Sequence, residues 1–179
     1  MRLLLACLLL FLPPGLSDGL IGSWRRTVTT TDETTGTVET QASVRTFADG
    51  HRYTETVDYE ERLRWADDET VVLRFHSEVA GQWVVSGQDV LLRYKPSTLR
   101  VTYEGVSFPD RAAALQPELR AAFERKQRTN LRNYIATMRN VLRGYYKRNS
   151  GSALAGVTLQ GRQFTATLSN ETVAFQRVE

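Results

Sequence analysis

Cysteine occurs once in this chain, at Cys7, and histidine twice, at His51 and His76. So few of these residues leave no internal disulfide framework and no thiolate zinc site, and the two histidines lack the spacing of a metal-ligand cluster. Long apolar runs are equally scarce. The one clear run, Leu3–Leu12, is about half the length that a membrane-spanning helix needs. No Gly-rich phosphate loop, Walker pattern or Gly-x-Ser-x-Gly nucleophile elbow occurs, and no nucleic-acid reader motif. These absences point away from catalysis. No catalytic residue, cofactor or metal is expected, and nucleic acid is not an expected partner.

What is present begins with that short apolar run. Arg2 precedes it, Pro13-Pro14-Gly15 breaks it, and Gly15-Leu16-Ser17 supplies small residues where a signal peptidase reads. Residues 1–17 therefore read as a signal peptide cleaved after Ser17. Leu4-Leu5-Ala6-Cys7 has the look of a lipoprotein box, but six residues before Cys7 are too few for a basic region and an apolar region together. The expected mature chain, 18–179, is one soluble domain without cysteine, periplasmic or secreted.

Charge is distributed unevenly. The net charge of the chain is +3, yet the segment Ser107–Asn149 carries ten basic residues against three acidic ones. The two parts of the chain present different surfaces. They also differ in periodicity. Residues 22–105 alternate in Thr, Val and aromatics between turn signals, which predicts antiparallel strands with one face buried. The expected strands are Gly22–Thr31, Thr37–Phe47, His51–Leu63, Thr70–Val79, Gly81–Ser86, Gln88–Lys95 and Thr98–Glu104. Turns are expected at Asp32–Gly36, Ala48-Asp49-Gly50, Asp67-Asp68, Gly87 and Pro96-Ser97.

After Gly105 the period becomes helical. Pro117 suits a first helical turn, and Asn149-Ser150-Gly151 suits an end. Leu131, Tyr134, Ile135, Met138, Val141, Leu142 and Tyr145 form an apolar stripe. Pro117–Arg148 would make a rod of about 48 Å, longer than a ten-residue strand of about 33 Å. Strands resume at Val157–Gln160, Gln163–Leu168 and Thr172–Val178. The fold class is mainly β: an antiparallel up-and-down barrel with one long basic amphipathic helix, in segment 107–150, inserted before the final strands.

Several segments resemble the lipocalin-like domains of bacteria. Gly22-Ser23-Trp24 at the start of the first strand is similar to the Gly-x-Trp signature of that family. Phe47–Tyr53 resembles its second hairpin, as does Gly81-Gln82-Trp83 leading through Gly87 to Leu91, and Thr172–Val178 is similar to its last strand. The resemblance covers most of residues 20–105 and 156–179. It implies a closed barrel of the calycin type that binds a small apolar or amphiphilic ligand and has no catalytic residues. It also implies that Trp24 closes one barrel end beneath an arginine, for which Arg177 is the candidate. The structural motif is thus Gly22, Trp24, Trp83 and Arg177. The long basic segment departs from the family pattern.

Candidate ligand-binding residues are the inward aromatics Tyr53, Tyr59, Phe75, Tyr103 and Phe164. By alternation they either line a cavity or fill a dry core. Arg26 shares the face of Trp24 and would be an inward charge facing an acidic head group. A second reading places the function on the helix. Arg125, Arg128, Arg132, Arg139 and Arg143 fall within about 60° of arc at 100° per residue, a ridge suited to an anionic surface or acidic protein. His51 with Glu55 on one strand face is an acid–base pair on paper, although a histidine at a hairpin edge ordinarily faces solvent.

Overall fold

A computed structural model of the chain describes residues 15–66 and 69–178. Residues 1–14 of the expected signal, Cys7 included, and the Asp67-Asp68 turn lie outside the described residues. The expected cleavage point after Ser17 falls inside a short helix, α1 (Leu16–Leu20).

Four long strands follow: β1 (Gly22–Asp32), β2 (Thr37–Ala48), β3 (Arg52–Ala66) and β4 (Glu69–Ser86). They form an antiparallel meander. The β1–β2 turn is fixed locally, because Asp32 Oδ1 accepts the backbone N–H groups of Thr34 at 2.8 Å and Thr35 at 3.2 Å. Those two donors hold its carboxyl below the usual range. The segments expected as separate strands on either side of Ala80 are one strand, β4. Gly81 does not break it. A Cβ there would stand 2.5 Å from the Arg93 carbonyl, so the glycine admits the next strand at close range.

That next strand is β5 (Asp89–Tyr94). After a 3-10 turn at Pro96–Thr98 come β6 (Arg100–Ser107), a second 3-10 turn and the helix α2 (Gln116–Arg148). Three strands complete the chain: β7 (Ser152–Gln160), β8 (Gln163–Leu168) and β9 (Glu171–Arg177). Pro117 lies in the first turn of α2, with Glu118 beside it, and Lys147 and Arg148 lie in the last. Acid at the N-terminus and base at the C-terminus both favour the helix dipole.

Pairing in the order β1-β2-β3-β4-β5-β7-β8-β9, and back to β1, closes an eight-stranded antiparallel barrel. β6 stands outside this cycle. One edge of β4 has two partners: Gly81–Ser86 pair with β5, while Val72–Glu78 pair with β6. The closed girdle is short, with three register pairs between β5 and β7 and two between β1 and β9. Beyond it β1–β4 continue as a long sheet that β6 widens.

The closed end is filled. Trp24, Phe47, Tyr53, Trp83, Phe164 and Phe175 are buried there together with Leu20 of α1. Trp24 donates its indole N–H to the Leu20 carbonyl at 2.7 Å. Phe164 meets Trp24 edge-on at 5.0 Å and stacks on Phe175 at 4.5 Å. Opposite this filled end, α2 lies between two apolar clusters. Ile135, Met138 and Leu142 pack against both. Tyr146, outside the apolar stripe read from the sequence, is the buried residue of the helix. Tyr134, Val141 and Tyr145 of that stripe remain exposed.

Candidate functional site

Between the inner face of β1–β3 and the helix α2 is a cavity of about 410 Å³. That lies within the range of roughly 300–1,000 Å³ typical of small-molecule sites. Strand alternation determines its sheet wall. Arg26 and Val28 continue the inward parity of Trp24, Ser43 and Arg45 that of Phe47, and Glu55, Val57 and Tyr59 that of Tyr53. The helix wall is apolar and aromatic, with Tyr134, Met138, Val141, Leu142, Tyr145 and Tyr146. The cavity is thus polar on one side and greasy on the other.

The deepest polar feature is an ion pair. Arg45 and Glu55 are direct cross-strand partners, each 5% exposed, with Arg45 Nε 3.5 Å from Glu55 Oε2. The same carboxylate oxygen accepts from the Tyr53 hydroxyl at 2.8 Å and the Tyr94 hydroxyl at 3.0 Å. At 3.5 Å the arginine contact is a charge interaction without hydrogen-bond geometry. Arg45 Nε and Nη1 are accordingly buried without a hydrogen-bond acceptor among the described residues. The guanidinium also lies over the ring of Phe175, 5.0 Å from its centroid. Burial is the largest single influence and works against its charge, but Glu55 and the surrounding tyrosines together outweigh it and raise its pKa further.

Burial and the nearby Glu55 charge push the hydroxyls of Tyr53, Tyr94 and Tyr146 well above their ordinary range. Burial pushes Tyr59 up to about 12. All four are neutral phenols at physiological pH, able to donate and not poised to lose a proton. Chemically, the floor is a fixed ion pair with hydrogen-bond donors around it.

Two acids stand at the other end of the same wall. Glu39 and Glu61 face each other across β2 and β3. The Gln41 amide donates to Glu39 at 2.6 Å, and the Tyr134 hydroxyl donates to Glu61, tying α2 to the rim.

Of the aromatics expected to face a cavity, Tyr59 lines it, and so does Arg26. Tyr53 reaches its floor through Glu55. Phe164 is in the filled end. Phe75 is fully buried in the second cluster, its ring 5.6 Å from Tyr103 and 5.0 Å from Tyr134. Tyr103, on β6, lines a separate groove with Arg125, Arg128 and Arg132. Arg125, Arg128, Arg132 and Arg143 are exposed, while Arg139 turns back to the sheet and donates to the Val101 carbonyl at 3.5 Å. His51 is exposed at the hairpin with φ 60°, its ring 5.9 Å from that of Trp83. Glu55 makes its contacts with Arg45, Tyr53 and Tyr94. His76 instead meets Asp58 at 2.6 Å across the outer face.

The motif residues come together at the closed end. The Arg177 guanidinium stands 4.6 Å over the Trp24 ring and donates to the carbonyls of Gly19 at 2.7 Å and Ile21 at 3.1 Å. Gly22 has φ +132°, a conformation that side-chain-bearing residues rarely adopt, and its missing Cβ faces that guanidinium at 3.5 Å. Trp83 donates to the Ala48 carbonyl at 3.1 Å.

Sequence reasoning missed Arg45 and Glu55 as a pair. The signal was present, since both fall on the apolar parity of their strands, where a charge needs a partner. Among the described residues no group of three His, Cys, Asp or Glu side chains is placed to hold a metal. No protein-family model matches the chain, and no curated protein matches it.

Proposed function

We propose that this chain is an exported, lipocalin-like, non-catalytic barrel that binds a small apolar or amphiphilic molecule between the inner face of β1–β3 and α2. The observation that carries the reading is the cavity itself. It opens directly above a filled barrel end, and its helix wall exposes Tyr134, Val141 and Tyr145, of which Val141 is 62% exposed. Exposed aromatics and aliphatics beside a concavity favour an apolar occupant, because covering them removes apolar surface from water.

Titration with the neutral fluorophore N-phenyl-1-naphthylamine tests this. Saturable binding is expected, and Val28→Trp, which fills the cavity from β1, should abolish it. Absence of binding, or binding that Val28→Trp leaves unchanged, would refute the reading.

A second reading rests on the groove where Tyr103 lies among Arg125, Arg128 and Arg132. Three exposed guanidiniums beside one aromatic suit an anionic lipid surface or an acidic protein. Binding to phosphatidylglycerol vesicles that weakens steeply with salt, and is lost in Arg125→Glu/Arg128→Glu/Arg132→Glu, would support it. Salt-insensitive binding would refute it.

A further inference from the structure

Hydrogen-bond accounting in the cavity gives a one-sided result. Each of its three carboxylates already accepts from a side-chain donor: Glu55 from two tyrosines, Glu61 from Tyr134 and Glu39 from Gln41. The arginines are the reverse. Arg45 has two buried nitrogens without an acceptor. The Arg26 backbone carbonyl accepts from the Ser43 hydroxyl at 3.2 Å, but its guanidinium has no hydrogen-bond or ion-pair partner among the described residues. The unmet demand is for acceptors, and a buried donor left unpaired costs about 1–3 kcal/mol or more when charged.

The two arginines are also close. Arg26 pairs in register with Ser43, and Arg45 is two residues further along β2 on the same face, so they are diagonal neighbours. With Glu55 they give the floor a net charge of +1. The opposed acids Glu39 and Glu61 lie toward the other end of β2, six residues from Arg45 to Glu39, or about 20 Å in an extended strand. The cavity is therefore electrically graded, with its cations at the floor.

We propose that the ligand is an amphiphile with a singly charged carboxylate head, which docks on Arg45 and Arg26 at the floor while its apolar tail lies along Met138, Val141 and Tyr145. This rests on the cavity-binding reading above and names the substrate class for it. A carboxylate offers acceptors only, and guanidinium groups match it well. Its single charge balances the floor. A phosphate head, with roughly −1.5 to −2 charges, would over-fill it and repel Glu55.

The test is displacement of N-phenyl-1-naphthylamine by three ligands with one tail: decanoate, decanol and decyl phosphate. Decanoate is expected to compete at least tenfold better than either of the others. Arg26→Met should reduce that advantage severalfold. Arg45→Met/Glu55→Gln, which removes the ion pair together so that no buried charge is stranded, should abolish it and leave decanol competition intact. Equal competition by decanoate and decanol in the unaltered protein would overturn the inference. So would a decanoate preference that is undiminished in Arg26→Met or that survives in Arg45→Met/Glu55→Gln, or a stronger response to decyl phosphate. If the fluorophore binds and none of the three displaces it, the carboxylate inference fails and the cavity reading stands. If the fluorophore does not bind at all, both fail.

Discussion

Replacing Glu55 by glutamine removes one charge from the barrel floor and almost no volume. The consequence follows from what surrounds it. Glu55 is the carboxylate beside Arg45, which is 5% exposed, and it accepts the hydroxyls of Tyr53 and Tyr94. Glutamine can keep one acceptor oxygen but leaves the guanidinium buried and uncompensated. Breaking a buried pair from one side costs about 3–5 kcal/mol. A domain of this size is stable by roughly 5–15 kcal/mol in all, so about a fifth or more of its stability should go. At about 2–4 °C per kcal/mol for chains of 150–250 residues, the midpoint should fall by roughly 6–20 °C. Urea and thermal unfolding, each followed by tryptophan fluorescence, read the free energy and the midpoint, since Trp24 and Trp83 are both buried. Arg45→Met in the same background should restore about 2 kcal/mol or more, because the stranded charge is then gone. That coupling is the discriminating quantity in a double-mutant cycle. A loss below about 1 kcal/mol in Glu55→Gln, or a double variant no more stable than the single, would refute the argument that the floor is a desolvated ion pair.

Alkali should unfold the protein early. Tyr53, Tyr94 and Tyr146 are held protonated by burial in the folded state. Their contribution is therefore complete below the ordinary phenol pKa of about 10 and is lost as pH rises beyond it, at up to about 1.4 kcal/mol per pH unit for each. Urea midpoints measured between pH 9 and about 11 should fall accordingly, and Tyr94→Phe should flatten the decline by one proton's worth. Gly81→Ala should destabilise by about 1–3 kcal/mol through overpacking, because its Cβ would meet the Arg93 carbonyl at 2.5 Å; a neutral effect on the thermal midpoint would show that β5 does not sit against it. Arg177→Met should lose about 2 kcal/mol, from the Trp24 stack and two carbonyl contacts; calorimetry would detect it, and an unchanged midpoint would remove Arg177 from the closed end.

The sequence makes the strands legible because period-two alternation and turn residues act locally. β1, β2 and β8 end within a residue of where that pattern places them. It is less informative where the outcome depends on a distant partner. A glycine inside an apolar run reads as a break, yet Gly81 is a close approach between strands that only the fold can reveal. Nothing local tells β6 to pair with β4 while β5 reaches past it to β7. Likewise the helical stripe marks Tyr134 and Val141 as core, whereas both stand exposed at the cavity edge. Tyr146 is buried instead because it lies near the C-terminal end of α2, its ring 4.8 Å from that of Tyr94 in the girdle. The candidate site was half legible. Alternation places Arg26 and Tyr59 inward, and the same rule applied to β2 finds Arg45.

The branched edge of β4 bears on how the molecule assembles. β1 to β4, and β6, can zip up from neighbouring hairpins and short returns. The girdle cannot, because Leu92 of β5 must find Ser152 of β7 across the whole of β6 and α2, and β1 must find β9 near the other end of the chain. Joining such remote segments carries a larger loop-closure entropy cost and slows folding. The seam strands are therefore expected to be the last to engage. Until they do, β1 and β5 each have an unpaired edge, the form in which a chain of this kind is most prone to pair with another copy of itself.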